Sequence, residues 1–226
     1  MSNKTFKCRA SSLGAVFTSP RNKSEVISET TKTMLEDWIV EDRFGIRKEF
    51  NSKYTDKGLA MEDQAIQEYN SLFGVIGVKN DVWYENEYIT GTPDLIFEDK
   101  VVDIKCSYSP FTFPMFDKTI PTKAYFYQLQ AYMYLTGLNK AELAYVLLSS
   151  PEEIIEREAK KIMWNEQLPQ EFYDVVLEEV REAHTYDHIT IKDRIKIFSI
   201  DRDDDVIGLI PNKIKECREY IELITN

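Results

Sequence analysis

Cysteine and histidine are scarce in this chain: 226 residues contain three of the first and two of the second. Cys8, Cys106 and Cys217 lie far apart and are odd in number, which excludes a disulfide framework and a zinc site built on paired cysteines. An iron–sulfur cluster, which takes four thiolates, is excluded by the same count. His184 and His188 stand four apart, but Asp187 and a helix end expected at Thr185 come between them, so both read as surface histidines. No apolar run approaches the ~20 residues that cross a bilayer. No basic start followed by an apolar stretch marks a secretory leader. A chain inside the cell, with no membrane partner, is the expectation.

Cations are also in the minority. Lys and Arg number 28 against 39 Asp and Glu, a net charge of −11, which by itself argues against a nucleic-acid partner. The distribution weakens that objection. Residues 1–57 carry a net +3, 58–103 a net −8, 104–150 a net +2 and 151–226 a net −8. Two mildly basic segments therefore flank an acidic one. Hydrophobic residues make up 43% and aromatics 12%, enough for a real core, so disorder is not expected. No internal repeat or low-complexity tract appears. A single domain over 1–226 is expected, with an N-terminal helical part to about 57, a core over 58–150 and a C-terminal extension over 151–226.

The segment 91–105, GTPDLIFEDKVVDIK, reads as a β-hairpin. Apolar runs at 94–97 and 101–104 flank a polar turn. With Asp99-Lys100 as the tight turn, Asp94 falls opposite Lys105, and Ile96 opposite Asp103. Side chains alternate along a strand, so Asp94, Asp103 and Lys105 share one face, while Leu95, Phe97, Val102 and Ile104 share a core face. Two carboxylates and an ammonium thus gather where a half-buried sheet would normally hold neutral residues. Around the hairpin, helices are expected over 27–44, from about 56 to 73, and over 122–136. The second is ended by Gly74 and Gly77 and has a buried stripe of Ala65, Ile66, Tyr69 and Phe73, with Glu62 at its head. A strand is expected over 82–90, another over 141–148, then a helix near 169–184, a strand near 189–200 and a final helix from about 203. The order predicts an α/β protein with a mixed central sheet flanked by helices.

Phosphodiester hydrolysis needs an activated water in line with the leaving oxygen, and relief of charge on the phosphate. A hard divalent cation on oxygen ligands supplies both. Asp94, Asp103 and the backbone carbonyl of Ile104 suit such a cation, and Glu62 is the natural further ligand. Lys105 would orient or help deprotonate the water, or steady the phosphate.

The pattern Glu62, Gly91-Thr92-Pro93-Asp94, Asp103-Ile104-Lys105 resembles the PD-(D/E)xK nuclease superfamily. The run QLQAY at 128–132 is similar to the QxxxY motif of its RecB-like branch, with Gln128 and Tyr132 on one helix face. Arg9, Ala10, Ser11 and Ser12 resemble a short element of phage lambda-type exonucleases and YqaJ-like viral recombinases. The resemblance covers about residues 6–149. It implies a restriction-endonuclease-like core, Glu62, Asp94, Asp103 and Lys105 as catalytic residues, and Mg2+ as cofactor with Mn2+ able to substitute. It also implies that Arg9, Ser11, Gln128 and Tyr132 bind DNA. The activity implied is 5′ to 3′ resection of linear duplex ends for recombination, in the cytoplasm of a bacterial host. A single-strand annealing protein is the implied partner, and a trimeric ring the implied assembly. A structure-selective endonuclease and a non-catalytic DNA-binding assembly module are the rival readings.

Each residue also has an ordinary reading. Asp94 could serve a turn, Asp103 and Lys105 an exposed ion pair, Glu62 a solvated helix face, and Gln128 and Tyr132 packing in an aromatic helix. Cys106 reads as a buried inert thiol, and the run 201–205, DRDDD, as a solvated turn and helix start. Tyr108, Phe111, Phe113 and Phe116 have two readings, core residues or a platform for unpaired bases.

Overall fold

The computed structural model describes residues 4–48 and 52–225. In chain order the elements are β1 (Cys8–Arg9), α1 (Leu13–Val16), α2 (Glu29–Phe44), α3 (Lys53–Phe73), β2 (Tyr84–Glu85), β3 (Ile89–Gly91), β4 (Leu95–Ile96) and β5 (Val101–Ser107). There follow α4 (Lys123–Thr136), β6 (Lys140–Leu147), α5 (Glu152–Asn165), α6 (Tyr173–Ala183), β7 (Ile195–Asp201) and α7 (Asp204–Thr225). The expected α/β class holds, but the strands form two sheets. One has the order β4-β5-β6-β7 and the other β1-β3-β2, each mixing parallel and antiparallel neighbours.

In the larger sheet β5 and β6 run parallel, and α4 makes the crossover between them. Both faces of this sheet are covered. Met61, Ala65, Ile66 and Tyr69 of α3 pack on Leu95, Val102, Ile104, Ala144 and Val146. Leu129 and Met133 of α4 and Ile207, Ile210 and Ile214 of α7 pack against Val101, Leu143 and Phe198 on the other face. A strand buried on both sides reads as a near-continuous apolar run, which is how 101–104 and 141–148 read.

Helix α3 starts where the Ser52 hydroxyl accepts the Thr55 N–H at 3.1 Å, and ends at Gly74, whose φ of 62° is left-handed. Its buried stripe differs from expectation at both ends. Phe73 is 46% exposed, its ring tilted against Tyr69 with centroids 4.8 Å apart. The stripe begins instead at Lys57, which is fully buried. Lys57 Nζ donates to the carbonyls of Tyr108 at 2.9 Å and Leu148 at 2.6 Å, tying α3 to the ends of β5 and β6. Burial pushes the Lys57 ammonium down to about 8.

Three further expectations are corrected. The single strand over 82–90 is two short strands, β2 and β3, folded about Asn86, whose Oδ1 accepts the N–H groups of Tyr88 and Ile89. Strand β7 begins at Ile195, since Ile191–Arg194 forms a 3-10 turn in which buried Arg194 donates to the Ile189 and Leu147 carbonyls. Helix α5 was not anticipated. Its apolar stripe of Ile155, Ala159 and Met163 packs on Val176 and Val180 of α6 as a separate small core. The run 201–205 is a helix start as expected: Asp203 Oδ1 accepts the Val206 N–H at 3.0 Å.

Candidate active site

The hairpin of β4 and β5 turns on Glu98-Asp99, not Asp99-Lys100. Phe97 N–H reaches the Lys100 carbonyl at 2.8 Å, and Leu95 pairs with Val102. Extended one step, this register sets Asp94 opposite Asp103, where Lys105 was expected. The displacement is two residues, an even number, so every side chain keeps its expected face. The consequence is chemical: the Asp103 charge acts on the Asp94 carboxyl, a destabilising arrangement unless something offsets it.

Asp103 is 1% exposed. Its Oδ1 accepts from Gln128 Nε2 at 2.9 Å, and its Oδ2 lies 2.7 Å from Lys105 Nζ. Asp94 Oδ2 accepts the backbone N–H of Ile104 at 2.6 Å. Burial first, then the Asp103 charge, pushes the Asp94 carboxyl up to about 7 against the opposing pull of Lys105 and the Ile104 N–H. Burial works against the charge on Lys105, but Asp103 and Asp94 outweigh it and hold the ammonium above its ordinary range. Lys105 is therefore a charged donor in this arrangement and not a free base.

These groups fit a hard divalent cation. Buried Asp103 and half-buried Asp94 repel each other, with Lys105 paired to Asp103, and β4 starts at Leu95, too late in the chain to pair with Ile104. The Ile104 N–H is taken by Asp94, and its carbonyl leaves the strand on the same side. Asp94, Asp103 and that carbonyl would be the ligands.

Helix α4 supplies the cover. Gln128 Nε2 donates to Asp103 Oδ1 and also to Tyr132 Oη, both at 2.9 Å. Gln128 and Tyr132 are buried, and burial holds the Tyr132 phenol above its usual range. Gly91 permits this closeness: a Cβ there would stand 2.9 Å from the Tyr132 ring and 2.9 Å from the Ala10 methyl. Tyr125 was not singled out in the sequence. Its ring lies 5.4 Å from Lys105 Nζ, a cation–π contact. The signal was present, since 125, 128 and 132 follow helical spacing on one face.

Other expected site residues stand apart from this cluster. Glu62 is paired with Lys79 at 3.3 Å, and only a weak part of the push on Asp94 comes from it. Among the described residues no three of Asp, Glu, His and Cys are gathered as a metal site, so Glu62 does not join the aspartate pair here. Arg9 lies beside Thr90 in the β1–β3 register and lines a cavity of about 920 Å³ with Ser12, Trp38 and Trp83. Its guanidinium is 3.2 Å from Glu41, whose other oxygen accepts the Lys48 N–H at 2.9 Å. Ser11 is exposed and is not among the residues lining that cavity; Ser12 is.

The four aromatics divide. Tyr108 and Phe113 are buried, whereas Phe111 is 99% and Phe116 90% exposed. Cys106 is half-buried against the α3 side, and burial pushes its thiol up. His184 is half-buried rather than on the surface, bonded to Ser150 Oγ at 2.9 Å and edge-on to Tyr108.

Fold and site together define a nuclease-like α/β protein, in keeping with the likeness to lambda-type exonucleases and YqaJ-like recombinases read in the motifs. In particular, the chain is similar to a phage-related exonuclease from Haemophilus somnus 129PT, with a TM-score of 0.76 and 25% identity, covering 98% of this chain and 96% of that one. It shares the fold of the alkaline exonuclease LHK-Exo from Laribacter hongkongensis, with a TM-score of 0.65 and 16% identity over 96% of this chain and 88% of that one. LHK-Exo in complex with dAMP gives a TM-score of 0.64 at 16% identity, covering 96% and 91%. No protein-family profile and no curated protein matches the chain. These likenesses support a nuclease. Among the described residues no helix is long and apolar enough to cross a membrane.

Proposed function

We propose that this chain is a Mg2+-dependent deoxyribonuclease that resects linear duplex DNA 5′ to 3′ to prepare ends for recombination. The observation that carries this reading is buried Asp103, held by Lys105 and Gln128, with half-buried Asp94 beside it. Mg2+ would be held by Asp94, Asp103 and the Ile104 carbonyl, with Mn2+ able to substitute. Bound there, it would lower the pKa of a ligated water and draw charge from the phosphate.

The chain's own residues do the rest. Lys105, held charged, orients the attacking water or binds a non-bridging phosphate oxygen. Gln128 fixes the rotamer of Asp103, and Tyr132 fixes Gln128 in turn. Glu62 would be a further ligand, directly or through water, once its ion pair with Lys79 opens. Arg9, with Ser11 or Ser12, is suited to a phosphate of the DNA end. A nucleoside monophosphate bound to a neighbour of the same fold fits what terminal hydrolysis would release. A single-strand annealing protein is the expected partner, and a trimeric ring the expected assembly in the cytoplasm of a bacterial host.

Linear and covalently closed duplexes of one sequence, end-labelled on either terminus, test this. Loss of linear DNA alone, beginning at the 5′ label, is the expected result. Cutting of closed circles would move the assignment to a structure-selective endonuclease, and binding without cleavage in any divalent cation would leave a DNA-binding module.

A further inference from the structure

The exposed aromatics after β5 belong to no part of the site described so far. Phe111 and Phe116 are 99% and 90% exposed and Met115 is 52% exposed, three apolar side chains within six residues. Yet the segment is shaped. Thr112 Oγ1 accepts the Ser109 N–H at 3.0 Å and donates to the Ser109 carbonyl at 2.9 Å. Phe113 N–H reaches the Pro110 carbonyl, and Met115 N–H the Phe113 carbonyl. Buried Tyr108 and Phe113 root the segment, and Lys57 holds the Tyr108 carbonyl at 2.9 Å. Two phenyl rings are thus presented to solvent on a hydrogen-bonded tip.

Its place in the fold says what meets it. The tip joins the end of β5, which carries Asp103 and Lys105, to the start of α4, which carries Tyr125, Gln128 and Tyr132. It stands at the carboxyl ends of the parallel pair β5 and β6, where open α/β sheets receive ligands. Its charge also departs from that of the chain. Between 106 and 123 there is one acid, Asp117, against Lys118 and Lys123, and Lys53 Nζ lies 4.4 Å from the Tyr108 ring. Exposed aromatic rings with lysines close in sequence, on the segment that joins the two elements carrying the site residues, match unpaired bases on a phosphate backbone.

We infer that Phe111 and Phe116 form a stacking platform for unpaired bases next to the scissile phosphate. This rests on the nuclease reading and narrows its substrate class to DNA with single-stranded character at the site. Base–aromatic stacking is sequence-tolerant, because every base has a π face. The platform therefore grips without selecting sequence.

Binding without turnover separates this inference from the nuclease reading. The full chain in EDTA is titrated against a duplex bearing a short 5′ tail with 2-aminopurine in the tail, and against a closed-circular duplex. Wild type is expected to quench the tail fluorescence. Phe111→Ala with Phe116→Ala is expected to lose the quench and to weaken tailed binding by at least about fivefold, the low end for one stacked base. Phe111→Trp with Phe116→Trp should keep both. Because both side chains are exposed, unchanged thermal unfolding of the alanine variant excludes misfolding. Equal quench and affinity in the alanine variant, or an equal loss on closed-circular duplex, would overturn the platform. So would a role for the two rings in self-association or in binding anionic vesicles in its place.

Discussion

Gln128 donates one amide group to two acceptors, Asp103 Oδ1 and Tyr132 Oη, each at 2.9 Å, and all three side chains are buried. The relationship joins α4 to the hairpin and holds one oxygen of Asp103. Gln128→Ala leaves an acceptor of a buried carboxylate without a donor, which costs about 1–3 kcal/mol. Thermal unfolding should show that loss. A Mg2+ titration of cleavage should show a midpoint moved to higher concentration and a rate at least tenfold lower. Gln128→Glu should be worse, because it sets a third carboxylate against the pair.

Mutual repulsion of Asp94 and Asp103 predicts that a divalent cation stabilises the folded chain. A ligand at a hundred times its Kd contributes about 2.7 kcal/mol. Mg2+, or Ca2+ as a non-activating stand-in, should raise the unfolding midpoint of wild type. Asp94→Asn, which relieves the repulsion and leaves Asp103 paired with Lys105, should be more stable without metal, and Asp94→Asn with Asp103→Asn should be indifferent to metal. A cation response that survives in the double variant would place the site elsewhere.

Lys57 gives stability a pH dependence. Its folded value of about 8 lies below its ordinary 10.5, because burial disfavours the ammonium. Between these values the unfolded chain binds the extra proton, so stability rises with pH through that window. Below about 8 both states are protonated, and the full cost of the buried charge, about 3 kcal/mol, remains. The stability of wild type relative to Lys57→Met should therefore improve from pH 8 to 10.5, read by urea unfolding at each pH. A flat difference would mean that the ammonium is no costlier inside than out.

Arg9 and Glu41 predict a change in substrate preference without a change in stability. An exposed ion pair is worth no more than about 1 kcal/mol, so Glu41→Gln should leave unfolding almost unchanged, and its amide oxygen can still accept the Lys48 N–H. Without the carboxylate, Arg9 is released to an incoming phosphate. The KM for 5′-phosphorylated ends should fall severalfold and that for 5′-hydroxyl ends should not. Arg9→Ala should erase the distinction.

Legibility followed the range of the forces involved. Helices α2, α3 and α4 and strand β6 were readable from periodicity and end signals within a window of a few residues. The shared face of Asp94, Asp103 and Lys105 survived a wrong turn assignment, because a two-residue slip conserves strand faces. Their pairing did not survive it: whether Asp94 meets Lys105 or Asp103 depends on which two residues make the turn, and the Asn-Gly or Asp-Gly signal that fixes a hairpin is absent from Glu98-Asp99-Lys100. Helix α5 was hidden because EREAKK dilutes a stripe that only α6 makes meaningful. Lys57 was invisible for a related reason. Its burial depends on two carbonyls, 51 and 91 residues away in sequence.

The central claim is that the aspartate pair and Lys105 form a metal-centred site for phosphodiester cleavage. Release of acid-soluble nucleotides from linear duplex DNA, measured with Mg2+ and with EDTA for wild type, Asp103→Ala and Lys105→Ala, tests it most directly. Release by wild type in Mg2+ alone, reduced by three orders of magnitude or more in either variant, is the predicted result. Release that persists in EDTA, or that survives Asp103→Ala, would contradict it.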